Sequence, residues 1–152
     1  MTRLEALFHH CASLLVGGTG LLYAWMLFFS RPADEFSIWN HPWQGDVHDL
    51  HLLTAPLLVI SVGMVWKGHA GARLRSRNPK HRGSGVSLLL SFLPMVFSGY
   101  LLQVTVEERW RSIWLWVHLI TSGMWLAAYA VHWILKYVGK ANEVTPPSAP
   151  NP

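Results

Sequence analysis

Four stretches of the chain contain no Asp, Glu, Lys or Arg: Ala6 to Ser30, Leu50 to Trp66, Gly83 to Val106 and Ser112 to Leu135. Each is near the roughly 20 residues that a helix needs to cross about 30 Å of hydrocarbon. The second is the shortest and is expected to begin earlier, near Gly45, with Asp46 and Asp49 among the headgroups. Pro56 and Pro94 fall inside the second and third stretches, where prolines kink a membrane helix rather than end it. Composition agrees with four spans: 51% of the 152 residues are hydrophobic and 13% charged, about half the charged share usual in soluble domains. The expected fold is all-α, a membrane-spanning four-helix up-down bundle formed by residues 1–140. The proline-rich remainder, 141–152, reads as a disordered tail. No internal repeat is evident beyond the alternation of span and loop.

Charge in the loops sets the orientation. The second loop carries Lys67, Arg73, Arg75, Arg77, Lys80 and Arg82 and no acid, whereas the first holds Asp34, Glu35, Asp46 and Asp49 against Arg31 alone. Arg3, Lys136 and Lys140 join the basic side. By the positive-inside rule both termini and the second loop are cytoplasmic and the first and third loops face outward. The net charge of +4 is thus a topology signal, and no nucleic-acid partner is expected. Trp39, Trp43, Trp110 and Trp114 make an outer interfacial belt. The single cysteine, Cys11, excludes an intrachain disulfide and a CxxCH haem attachment. The N-terminal run lacks a small-residue cleavage site, so no removable signal peptide is expected.

Into these apolar spans the sequence sets histidines, which are functional suspects at membrane depth. His118 and His132 lie fourteen residues apart on the fourth span, about 21 Å along a helix and within roughly 40° of one face. The topology puts His132 near the cytoplasmic side and His118 near the outer side. His9 and His10 open the first span at the cytoplasmic level, and His48 and His51 open the second at the outer level. Two cross-helix pairs follow, one above the other. Facing histidines in a bundle core suit haem iron, which takes two axial nitrogens along one line. Zinc would need three or four ligands around one point. His9 and His10 point about 100° apart, so one faces the core; His10, the deeper, is slightly preferred. His51 is preferred to His48 for the same reason. His41 and His81 read as solvated loop residues. His69 reads as interfacial, and it competes for the inner position.

Histidines on spans one, two and four, with two on the fourth at His118 and His132, resemble the four-helix di-haem cytochrome b family. That family includes the membrane subunits of nickel–iron hydrogenase and respiratory formate dehydrogenase and small stand-alone quinol-linked cytochromes b. The resemblance covers Leu7 to Leu135, with Cys11 after His10 where many members have Trp. It implies two b haems, one held by His9 or His10 with His132 on the cytoplasmic side and one by His51 with His118 on the outer side. It further implies a bacterial cytoplasmic membrane location and electron exchange between the quinone pool and an outer redox partner, a c-type cytochrome or an iron–sulfur protein. The quinone would react near His132, and the chain would serve as the electron-transfer subunit of a quinone-linked oxidoreductase. A stand-alone superoxide–quinone oxidoreductase is a variant of the same reading.

Supporting residues are expected around the ligands. Trp125, midway between His118 and His132, is placed between the two haems. Thr54 and Thr121, three residues after a ligand, are candidates to bond the second imidazole nitrogen. Arg109 and Arg111 outside, and Arg73 or Arg75 inside, are candidates for haem propionates. Two other classes are a haem-free membrane anchor for a soluble redox subunit and a metal carrier using its histidines in sequence.

Overall fold

The computed structural model describes residues 2–66 and 82–144, and among these every regular element is helical. The order is α1 (Arg3–Phe29), α2 (Gln44–Val65), α3 (Arg82–Val104) and α4 (Glu108–Val144). All four are long and apolar enough to cross a membrane. Helix α2 starts one residue before Gly45, and α2 and α3 run through Pro56 and Pro94 without ending. Helix α4 continues to Val144, four residues beyond the domain edge expected at 140; residues 145–152 lie outside the described residues. So do His69, His81 and the basic loop from Lys67 to Lys80.

The helices pair as two hairpins, each a compact unit: α1 with α2, and α3 with α4. Helix α1 begins on a capping box, with the Thr2 hydroxyl accepting the Glu5 N–H and the Glu5 carboxylate accepting the Thr2 N–H. That satisfies two orphan donors of the first turn. Helix α1 buries Ala12, Val16, Thr19 and Met26, and α2 buries Gln44, Thr54, Leu58 and Ser61. The three- and four-residue steps form a narrow antiparallel seam of the kind two helices share in a coiled coil. Outside it, Leu14, Leu21, Leu53 and Ile60 are exposed, as are Leu90, Phe97 and Ile120 in the second hairpin. Apolar surface on this scale requires a cover, and lipid supplies it for helices of this length.

Five of the seam residues, Ala12, Ser13, Thr19, Thr54 and Ser61, are small or hydroxylic, as membrane helix contacts favour. Ser13, Ser61 and Ser98 are almost wholly buried, and each returns its hydroxyl hydrogen to a carbonyl of its own helix. Among the described residues no buried side-chain polar atom lacks a partner. The first connection is tied down in the same way. Asn40 donates from Nδ2 to the Leu27 carbonyl near the end of α1, at 2.9 Å, and its N–H donates to Oε1 of Gln44, also at 2.9 Å. Gln44 is only 2% exposed. Gln44→Leu keeps the volume but strands the Asn40 N–H, so it is expected to cost about 1–3 kcal/mol, read as lower thermal stability in detergent with the helical content retained.

Candidate functional site

Three histidines sit in the helix–helix seams with one ring nitrogen held by the neighbouring helix. In the second hairpin, Nδ1 of His118 lies 2.9 Å from the Met95 carbonyl and 3.3 Å from Oγ of Ser98. A carbonyl only accepts, so Nδ1 carries the hydrogen and Nε2 is the basic nitrogen of the ring. In the first hairpin, Nδ1 of His51 lies 3.1 Å from Oγ1 of Thr19. The Thr19 hydroxyl spends its single hydrogen on the Leu15 carbonyl at 2.8 Å, so it accepts from His51. His9 repeats the arrangement: its Nδ1 is 3.0 Å from Oγ of Ser61, which donates to the Leu58 carbonyl at 2.8 Å. His118 therefore has Nε2 as its lone-pair nitrogen, and the same tautomer at His51 and His9 leaves the Thr19 and Ser61 hydroxyls on the carbonyls of their own helices. His41, in the first connection, is the opposite case, because its Nδ1 accepts the Trp43 N–H at 3.2 Å.

Glycine lets two of these rings lie close to the opposite backbone. A Cβ added at Gly20 would stand 3.0 Å from Cε1 of His51, and one at Gly99 would stand 3.2 Å from Cε1 of His118. Both contacts lie towards the connecting-loop end of their hairpin. His9 and Ser61 lie towards the other end of the first hairpin, about 15 Å away at the helical rise.

The remaining candidates are placed differently. His48 is at the rim, 5.3 Å from the Tyr23 ring and 6.4 Å from that of Trp39, with Nδ1 at 3.2 Å from the Asp49 carboxylate. Of the pair on α2, His51 is therefore the one inside the seam. His10 adjoins His9, with ring centroids 6.1 Å apart. Between His118 and His132 on α4, Trp125 is 3% exposed and stacks on Tyr129 at 5.4 Å and 11°. Trp110 and Trp114 stack at 6.4 Å nearer the start of α4.

The hydroxyls expected to steady the ligands take another role. Thr54 donates to the Leu50 and His51 carbonyls, and Thr121 to those of Val117 and His118. Both point back along their own helix, the common habit of a helical threonine. The anchors are instead Thr19, Ser61 and the Met95 carbonyl with Ser98, each on the facing helix. A hydroxyl residue followed by glycine, Thr19-Gly20 and Ser98-Gly99, is the signal that marks two of them in the sequence. Among the described residues no three of His, Cys, Asp and Glu gather at one point. Comparison with protein-family models, with curated proteins and with solved structures finds no match, so these side chains carry the functional reading.

Proposed function

We propose that the chain is an integral-membrane di-haem b electron-transfer protein, passing electrons between the membrane quinone pool and a redox partner on the outer face. The observation that carries this reading is the common placement of His9, His51 and His118, each with Nδ1 held by the facing helix of its hairpin. Metal-ligating histidines are fixed in this manner, which orients the ring and strengthens Nε2 as a donor. The histidines offer single nitrogens from separate helices, which is the donor set of an axial site and not of a tetrahedral one. In this reading the two hairpins close into one four-helix bundle with both termini cytoplasmic. His51 faces His118 at the outer level, and His9 faces His132 at the inner level. His9 takes the place that depth alone gave to His10, because Ser61 holds its ring.

Haem b, when bound, takes up and releases single electrons at its iron. The chain's own residues do the rest. His51 with His118, and His9 with His132, would hold the two haems, each through one ring nitrogen, and lipid-facing leucines keep water from the spans. The Trp125–Tyr129 stack fills the space between the two levels. A quinone site near His132 and the start of α1 follows from the likeness to di-haem cytochromes b, as does a c-type cytochrome or iron–sulfur partner outside. A potentiometric titration of the purified protein tests this reading: two one-electron steps are expected, with a reduced spectrum that carbon monoxide does not change. A spectrum shifted by carbon monoxide would mean an open axial position, and a colourless protein would favour the haem-free anchor.

A further inference from the structure

The connection between α1 and α2 presents apolar side chains where no span buries them. Phe36 is 92% exposed and Ile38 91%, and Trp43, at the start of α2, is 68% exposed. The turn that carries Phe36 is held by its own hydrogen bonds. The Asp34 carboxylate accepts the Phe36 N–H and the Ser37 hydroxyl, both at 3.0 Å, and the Asp34 carbonyl accepts the Ser37 N–H at 3.3 Å. Asn40 ties the far side of the connection to the Leu27 carbonyl of α1. Beside the turn, Ala33, Ser37, Ile38, Trp39, His41 and Pro42 line an open, mainly apolar pocket of about 220 Å³. The His41 ring lies 6.2 Å from that of Trp25 and 5.9 Å from that of Trp43. The surface therefore offers a projecting ring and a hollow, both held in place before anything meets them. Preorganisation of this kind lowers the cost of binding.

Charge decides what meets them. Asp34, Glu35, Asp46 and Asp49 stand in or beside the connection against Arg31 alone. Glu35 and Asp46 are exposed, and among the described residues the one ion pair is His48 with Asp49. The Glu35 and Asp46 carboxylates thus keep their field for a partner. A second copy of the chain would set carboxylate against carboxylate, which is a costly juxtaposition. Lipid is disfavoured as well, because Phe36 cannot enter hydrocarbon without drawing in the adjoining Glu35. A protein with a basic rim around an apolar patch suits both the charge and the shape.

We propose that the α1–α2 connection is the docking face for a basic soluble protein, with Phe36 and Ile38 in the contact and Glu35 and Asp46 steering its approach. The di-haem reading makes that protein the outer electron carrier, and the inference rests on it to that extent; docking itself needs no haem. The seven-residue step from Gln44 to His51 is about 10 Å along α2, so a carrier seated on the connection stands close to the outer site.

Binding of mitochondrial cytochrome c, a basic soluble haem protein, to the full chain in phosphatidylcholine nanodiscs tests the docking face. Binding is expected at about 20 mM salt and should weaken about tenfold at about 200 mM. Glu35→Lys combined with Asp46→Lys should weaken the low-salt binding about tenfold and flatten its salt dependence. Phe36→Ser should weaken binding about tenfold at either salt, as loss of an aromatic anchor does. A nitroxide on Phe36→Cys, in a Cys11→Ser background, should be relaxed more by a water-soluble nickel chelate than by oxygen, and added cytochrome c should shield it. No binding at low salt, or equal binding by wild type and the double lysine variant, would overturn the inference. So would a label relaxed mainly by oxygen, which would make lipid the occupant, or dipolar broadening between labels, which would make it a second copy. A haem-free chain that binds cytochrome c in this way would uphold the docking face and overturn the di-haem reading; a haem-loaded chain that does not bind would do the reverse.

Discussion

His9→Ala is expected to lose one of two haems, and His10→Ala to keep both. The two residues are adjacent, at nearly the same depth, and they differ in what holds them. Nδ1 of His9 is bound by Ser61 across 52 positions of sequence, at 3.0 Å, and Ser61 has already spent its own hydrogen on Leu58. His9 also lies about 20° from Gly20 around α1, whereas His10 lies about 80° away at 100° per residue, so His9 shares the face that meets α2. The difference spectra of the two variants, normalised to protein, decide the matter. Loss of a haem in His10→Ala with retention in His9→Ala would reverse the assignment. Ser61→Ala should weaken haem retention at the same site by about 10- to 100-fold, the usual effect of removing a residue that steadies a metal ligand.

Gly99→Leu is expected to empty the outer site while the inner haem is retained. Even a methyl at Gly99 would meet Cε1 of His118 at 3.2 Å and Nδ1 at 3.4 Å. Leucine adds three more carbons along that line, and the ring cannot retreat without giving up the Met95 carbonyl. Overpacking of this kind costs about 1–3 kcal/mol in a well-packed core, and here the strain falls on the proposed outer ligand. Gly123→Leu is the control, since nothing lies within 4 Å of a Cβ at Gly123. Haem content per chain after purification reads the effect. Equal haem in Gly99→Leu and wild type would show that the close approach of Gly99 to His118 has no bearing on the site.

The four spans were legible because absence of charge over some twenty residues has few explanations, and Pro56 and Pro94 did not obscure them. The spacing of the histidines along their helices was legible too, since rise per residue needs no knowledge of neighbours. The anchors were not. Thr54 and Thr121 stand at the right spacing from His51 and His118, yet a threonine one turn on in the same helix satisfies itself on that helix's carbonyls. What reaches Nδ1 comes from the facing helix, from Thr19, Ser61 and Met95, and only the antiparallel register brings those to the right level. The choice between His9 and His10 likewise turned on Ser61, which nothing near residue 9 in sequence marks.

The central claim, two stacked bis-histidine haems, is tested most directly by counting haem per chain in wild type and in His118→Ala by pyridine haemochrome. The account predicts two b haems in the wild type and one in the variant, with the remaining haem still six-coordinate. A wild-type protein that is fully folded and holds no haem would contradict it, and the anchored imidazoles of His9, His51 and His118 would then be ordinary packing.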